Sequence, residues 1–415
     1  MALQSVSFRT ALIRMTFCVV LLSVFSPAFS QTEQKPQFQF KNGVGVTAPD
    51  SMFSINVRFR MQNRMGFTMT DEDTTWSPSA IEFRTRRTRL RLDGWIFNPK
   101  WQYALQLSFS RGDQDWDNAG VPNVLRDAMM FYEPNKNLRI GFGQGKLPGN
   151  RQRVVSSGEQ QFADRSIVNA TFTVDRDFGL QMHYHLKTGP LHYFIRGALS
   201  SGEGRNEGVN KSEVSQNTGM CYTGRFEFLP LGLFDGKSDY YESDLAREPK
   251  PKISLAGGMS LNDDAIRTGG QLGKSLYTSR DISTYIFDGL FKWKGISFYT
   301  EFMKRIVTGG GSSITLSDDG AREYVYDGEG LLVQSGYLFK NNFEIAGRYA
   351  HTRPVGETID LKDVVQDYTI CFSKFIRNHR FKCQFDATLQ RHLDPGSAEL
   401  TGQNVQFRFQ IEMGI

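Results

Sequence analysis

From residue 405 to residue 415 the chain alternates without a break. Val405, Phe407, Phe409, Ile411, Met413 and Ile415 fall on one side, and Gln406, Arg408, Gln410, Glu412 and Gly414 on the other. A period of two is the signature of a strand with one apolar and one polar face. In water the apolar face of such a strand needs a second layer, whereas in a transmembrane barrel lipid covers it. The same period recurs through most of the chain. It predicts strands near 52–68, 81–96, 101–110, 124–132, 138–146, 174–186, 191–199, 219–228, 252–260, 282–292, 296–305, 331–339, 343–352, 365–375, 380–390 and 403–415, about sixteen and an even number.

The connections between these segments are alternately tight and long. Tight turns are expected at 98–100, 133–137, 187–190, 294–295, 340–342 and 377–379, and long segments at 70–79, 111–123, 147–173, 200–218, 261–281, 306–330, 353–364 and 391–402. One connection on the tight side, 229–251, is longer and carries Pro230, Gly236, Pro249 and the acids Glu242, Asp244 and Glu248. A sandwich of two sheets has no reason to keep this alternation, but outer-membrane barrels have short periplasmic turns and long extracellular loops. The expectation is therefore an all-β protein, a transmembrane antiparallel β-barrel of about 16 strands over residues 52–415, with both termini periplasmic. Residues 31–51 form a polar lead-in, and a barrel of this size leaves room for a water-filled lumen.

The amino-terminal residues fit export. Arg9 and Arg14 precede an apolar run, 15–25, and the small residues Ala28 and Ser30 mark a cleavage point, so 1–30 reads as a signal peptide. Its removal takes away those two cations and no acid, which lowers the formal charge from +5 to +3. So small an excess argues against a general polyanion binder, nucleic acid included, and any charge selectivity must come from where the charges sit. The mean hydropathy of −0.40 is polar, as it is when only every second strand residue meets lipid. Three cysteines follow the signal segment: Cys221, Cys371 and Cys383. The last two flank a predicted turn but point to opposite faces, which favours free thiols.

Candidate chemistry lies on the polar faces. Arg84, Arg86, Arg87, Arg89 and Arg91 crowd the second strand. With Leu90, Leu92 and Ile96 toward lipid, Arg87, Arg89 and Arg91 share the pore side with Asp93, while Arg84 and Arg86 fall on the outer face near the extracellular rim, where they would meet anionic headgroups, a neighbouring subunit or a local bulge. Guanidiniums are planar, always charged donors that attract small anions and pass them on through paired hydrogen bonds. Balanced by acids such as Glu82, Asp93 and Asp127, the same arginines simply hydrate a non-specific wall. Arg380, Lys382 and Arg408 are expected on the inward faces of the last two strands. The segment 147–173, with Arg151, Arg153 and Arg165, is expected to fold into the barrel and narrow it. Asp113, Asp115 and Asp117 have calcium-loop spacing but lack its turn glycine and terminal acid. His183, His185 and His192 share one face without an acid or cysteine to complete a metal site. No metal, cofactor or catalytic group is expected. A lipase-like barrel would need a serine tied to His351 or His392, and an adhesin would need larger loops.

The chain between about 40 and 200 also resembles the phosphate-selective porin O and P family in its Bacteroidetes-like form. Phe53-Ser-Ile-Asn-Val-Arg-Phe-Arg-Met-Gln62 resembles the first strand of that family, Arg86-Arg-Thr-Arg-Leu-Arg-Leu-Asp-Gly94 its arginine-rich second, and Arg126-Asp-Ala-Met-Met-Phe-Tyr132 its fourth. Gly141-Phe-Gly-Gln-Gly-Lys-Leu-Pro148, Phe162-Ala-Asp-Arg-Ser166 and Asp175-Arg-Asp-Phe-Gly179 are similar to its strand five, constriction loop and strand six. The resemblance implies a sixteen-stranded homotrimer in the outer-membrane lipid of a Gram-negative bacterium, conducting small anions such as phosphate through a basic channel. It places Arg87, Arg89 and Arg91 on the basic strand and Lys146, Arg151, Arg153 and Arg165 in or beside the constriction loop. The lysine cluster of phosphate-binding members has no residue-by-residue counterpart. The expected function is a passive porin for small hydrophilic solutes that prefers anions, with a non-selective diffusion porin as the alternative.

Overall fold

The computed structural model describes residues 36–40, 43–72, 75–113, 123–206 and 219–415. Sixteen strands form the barrel. The first eight are β1 (Phe53–Glu72), β2 (Thr75–Ile96), β3 (Asn98–Ser108), β4 (Leu125–Asn135), β5 (Leu138–Lys146), β6 (Arg176–Thr188), β7 (Leu191–Ser200) and β8 (Cys221–Leu229). The second eight are β9 (Lys252–Arg267), β10 (Ser275–Trp293), β11 (Ile296–Thr308), β12 (Gly328–Leu338), β13 (Phe343–Pro354), β14 (Val364–Arg377), β15 (Phe381–Leu393) and β16 (Leu400–Gly414). Each pairs antiparallel with its sequence neighbour, and β16 returns to β1 from Asn404 opposite Thr70 to Gly414 opposite Arg60. The sheet has closed on itself, so no edge is left to pair with another chain.

The alternation read from the sequence is the alternation of faces. Along β16 the rows Gln410 and Glu412 are buried toward the lumen, while Phe407, Ile411 and Met413 stay exposed on the lipid side. The tight turns form where the backbone can adopt left-handed dihedrals. Lys294 and Gly295, with φ of 48° and 91°, make the two-residue link from β10 to β11, a geometry that follows the natural twist of a hairpin.

Several strands run further than their hydrophobic cores suggest. β1 and β2 continue through most of 70–79 and leave only 73–74, outside the described residues, between them. β9 and β10 likewise take up both ends of 261–281. The segment 306–330 holds a small hairpin of its own, Ile314–Leu316 against Arg322–Tyr324. The lead-in contributes two short strands, Gln37–Gln39 and Val44–Thr47, the second paired with the start of β1. The expected signal peptide, 1–30, lies outside the described residues. Cys221, Cys371 and Cys383 are free thiols, and Cys371 is buried while Cys383 is half-exposed on the other face.

Candidate functional site

The connection after β5 carries two short helices, α1 (Arg151–Val154) and α2 (Ile167–Phe172). Ser166 caps α2 by accepting a hydrogen bond from the Asn169 amide at 3.2 Å, which fixes where the helix starts. Instead of leaving the barrel, this loop crosses the lumen and is tied to the far wall. Gln161 Nε2 donates to Ser297 Oγ and Glu344 Oε1, both at 2.9 Å, and Lys382 Nζ donates to the Gln160 carbonyl at 2.8 Å. The expected inward fold of 147–173 is therefore present.

Behind the loop, one half of the lumen is solid. Leu147, Val168, Phe172 and Val174 pack against Ile286, Leu290, Met303 and Leu332, all buried. These strand residues point inward, so the lumen is not polar on every side. Arg151 anchors this half: its Nε donates to Asp288 at 2.7 Å, Nη2 to Ser254 Oγ at 2.6 Å and to Glu227, and Nη1 to the Asp239 carbonyl at 2.7 Å. Asp239 belongs to the long connection 229–251, which turns back into the barrel. There Lys292 Nζ donates to the Ser238 and Ser243 carbonyls at 2.6 and 3.1 Å, and the Glu242 amide to the Glu159 carbonyl at 3.0 Å. The two connections, from opposite ends of the barrel, meet inside it.

The other half stays open. A cavity of about 640 Å³ is lined by Arg86, Arg87, Arg89, Arg126, Arg153, Arg165, Arg205, Arg348 and Arg408, nine arginines against Asp113, Asp164, Asp175 and Asp367. A second cavity, about 510 Å³, lies between the lead-in strands and β2 to β5 and is bordered by Arg91, Asp93 and Arg139. Between the two cavities the loop touches the arginine-rich wall, where Arg89 Nη1 donates to Ser157 Oγ at 2.9 Å and Arg60 to Ser156 Oγ and Ser157 Oγ, both at 2.9 Å. Asp164 is the acid at the centre: Arg64 reaches it at 2.8 Å, Arg87 at 3.3 Å and Arg86 at 3.5 Å. Burial alone would raise its pKa, but Arg86, Arg64 and Arg87 together hold it well below the usual carboxylate range, so it stays ionised.

The second strand departs from strict alternation at one point. The register between β1 and β2 shifts so that Gln62 faces Arg87 and Asn63 faces Thr85, leaving Arg86 as an extra residue. That bulge turns Arg86 into the cavity and sets Arg84 opposite Arg64 on the lumen side, while Ile81 and Phe83 are exposed outside. The expectation of an outward Arg84 and Arg86 is thus corrected by the bulge.

Of the candidates, Arg87, Arg89, Arg153, Arg165 and Arg408 border the first cavity and Arg91 the second. Arg153 pairs with Asp175, and Arg408 Nε donates to Asp386 at 2.6 Å. Arg165 spends its donors on the Gln152 and Val155 carbonyls at 2.8 and 2.9 Å. Four candidates are placed elsewhere, three of them against the loop. Arg151 is 2% exposed in its carboxylate cluster, Lys382 is fully buried under the loop, and Lys146 donates to the Val154 carbonyl at 2.7 Å. They hold the loop and do not line the passage, because each finds a partner behind it. Arg380 is half-buried at the turn between β14 and β15, away from both cavities.

Sequence reasoning passed over Arg64, Arg126, Arg205 and Arg348, which come from β1, β4, a loop and β13 and gather only when the barrel closes. The inward apolar residues carried a signal: β10 is apolar on both faces, with Ile286 and Leu290 alternating with Phe287 and Phe291. Asp113 is held by Arg89 and Arg126, and Asp115 and Asp117 lie outside the described residues. His185 and His192 sit with ring nitrogens 2.9 Å apart, and no group of three metal-ligating residues occurs among the described residues.

A model of the phosphate-selective porin O and P family matches residues 55–277. No curated protein matches the chain. Among solved structures, the outer-membrane channel DcaP of Acinetobacter baumannii is similar with a TM-score of 0.54 and 12% identity, over 90% of this chain and 100% of that one. An anion-selective porin from Comamonas acidovorans gives 0.52 and 11%, over 88% and 100%. The trimer form of OmpT from Vibrio cholerae gives 0.51 and 10%, over 86% and 99%. At such identities the likeness is one of fold.

Proposed function

This chain belongs to the phosphate-selective porin O and P family, and we propose that it is a passive outer-membrane porin whose pore prefers small anions. The protein is a multi-pass β-barrel of the outer membrane, and its short turns face the periplasm in this reading. One observation carries the preference. Arg89 and Arg91, two residues apart on β2, border different cavities on the two sides of the constriction loop. A solute crossing between the cavities passes along that arginine-rich wall, because the opposite half of the barrel is filled. In a confined channel with low-dielectric walls, a few fixed charges act far more strongly than on an open surface. Each guanidinium offers a planar pair of donors to an oxyanion and releases it to the next.

A second reading, a non-selective diffusion porin, is favoured by the acids Asp113, Asp164 and Asp175, which already neutralise several of these arginines. Reversal potentials across a planar bilayer under a potassium chloride gradient decide between them. Chloride preference is expected, strongest at low salt because screening acts over about 10 Å at 0.1 M. A channel without preference would leave the diffusion porin, and a cation-preferring one would remove both readings of the wall. The assembly is a homotrimer in this proposal, supported by the trimer form of OmpT, and cross-linking in mild detergent should give a three-chain species. No catalytic role is assigned.

A further inference from the structure

Resting on the anion reading, we infer that the larger cavity is a binding site for anionic sugars, molecules that carry one carboxylate or phosphate group and several hydroxyls, and not for inorganic phosphate alone. The cavity has two chemically different walls. On one, Arg86, Arg87 and Arg89 of β2 stand beside Arg126, Arg153 and Arg165. On the other, the seam of β15, β16 and β1 presents the uncharged Thr388, Gln390, Asn404, Gln406, Thr68 and Thr70, with Arg408 and Asp367 at its edge.

The neutral wall is an ordered array of amides and hydroxyls. Asn404 Nδ2 donates to Gln390 Oε1 at 3.0 Å, Gln390 Nε2 to Asp367 at 2.9 Å, and Gln406 Nε2 to Thr68 Oγ1 at 3.5 Å. Amides and hydroxyls both donate and accept, as sugar hydroxyls do, so the two sets can exchange hydrogen bonds in either direction. Inorganic phosphate can also bond amides and hydroxyls, but it brings a single centre, whereas a sugar anion can engage this wall with its hydroxyls while its oxyanion stays with the arginines.

The cations are of one kind. Every basic residue of the lining is arginine, whose fork matches the two oxygens of a carboxylate or the edge of a phosphate and suits oxyanions better than spherical chloride. Size points the same way. About 640 Å³ lies within the roughly 300–1,000 Å³ of pockets that hold whole organic molecules, and one inorganic oxyanion fills only a small part of it.

The test is block of the chloride current through the reconstituted wild-type channel by glucuronate, glucose 6-phosphate, inorganic phosphate and neutral glucose. The sugar anions should halve the current at concentrations about tenfold below inorganic phosphate, the gain expected from one or two extra hydrogen bonds, and glucose should not block. Block by one sugar anion alone also supports the site and assigns its oxyanion. Asn404→Leu with Gln406→Leu should raise the blocking concentration of the sugar anions about fivefold while leaving phosphate block and chloride preference as in the wild type. Inorganic phosphate blocking as well as the sugar anions, or glucose blocking equally, would overturn the assignment and leave the anion reading standing. A wild-type channel without chloride preference would overturn the anion reading itself. The wild-type comparison holds whether or not the double variant folds.

Discussion

Two halves of one barrel have been put to opposite uses. On the β8 to β12 side the lumen is filled, by apolar contacts such as Phe172 stacked on Tyr326 at 5.3 Å and by ion pairs such as those of Arg151 with Glu227 and Asp288. On the β1 to β5 side, arginines such as Arg87, Arg89, Arg91 and Arg126 face two cavities. Both sides have buried charges, but their surroundings differ. Glu227 meets Arg151 and Arg196, and Asp288 meets Arg151 and Arg225, a near-balanced cluster sealed behind the loop. Around Asp164 a single carboxylate faces three guanidiniums beside open space. A balanced cluster locks structure, whereas an unbalanced one next to water leaves positive potential for a solute. Closing one side leaves the open space of the lumen to the other.

The largest effect on this division should come from Arg151→Ala. Removing one member of a buried ionic cluster costs about 3–5 kcal/mol, because Glu227 and Asp288 lose a partner in a dry site. The loop should then leave the filled half, seen as tryptic cleavage within 147–173 and a higher single-channel conductance with weaker selectivity. Phe172→Ala comes next. It opens a cavity in the apolar plug at a cost of about 3 kcal/mol, which should lower the temperature of heat unfolding while the chloride preference persists.

On the open side the order of readouts reverses. Arg87→Gln with Arg89→Gln should reduce chloride preference in reversal-potential measurements with little change in unfolding temperature, since Asp113 keeps Arg126 and Asp164 keeps Arg64 and Arg86. A fall in stability matching that of Arg151→Ala would show that the two halves do not differ as described. The smallest effect is expected from Gly158→Ala at the boundary. A Cβ there would overlap the Arg60 guanidinium and the Glu412 carboxylate, the first of which is the movable tip of a long side chain. The barrel should fold, and the displaced Arg60 should change conductance modestly.

The legible part of the molecule was whatever repeats along the chain. Every one of the sixteen strands lies where the period of two placed it, and the faces of β16 follow from Val405 to Ile415 directly. Strand ends were less legible, as at 70–79, because hydrogen bonds between partners continue past the last apolar residue. The arginine ladder was visible as composition, but the side of Arg86 was not: one extra residue in a ladder flips every position beyond it, and no local feature of Arg84 to Arg87 announces the bulge.

The sequence by itself determined the closed barrel, its alternating faces and the basic character of β2, since each depends on near neighbours and on the choice between lipid and water. Only the tertiary structure decided which cations meet a solute. Arg151 and Arg153 are two residues apart in one helical turn, yet the first is buried against Glu227 and Asp288 and the second borders the open cavity. Their partners lie on strands far away in the chain, and burial of a charge is settled by which distant carboxylates come within reach when the ring of strands closes.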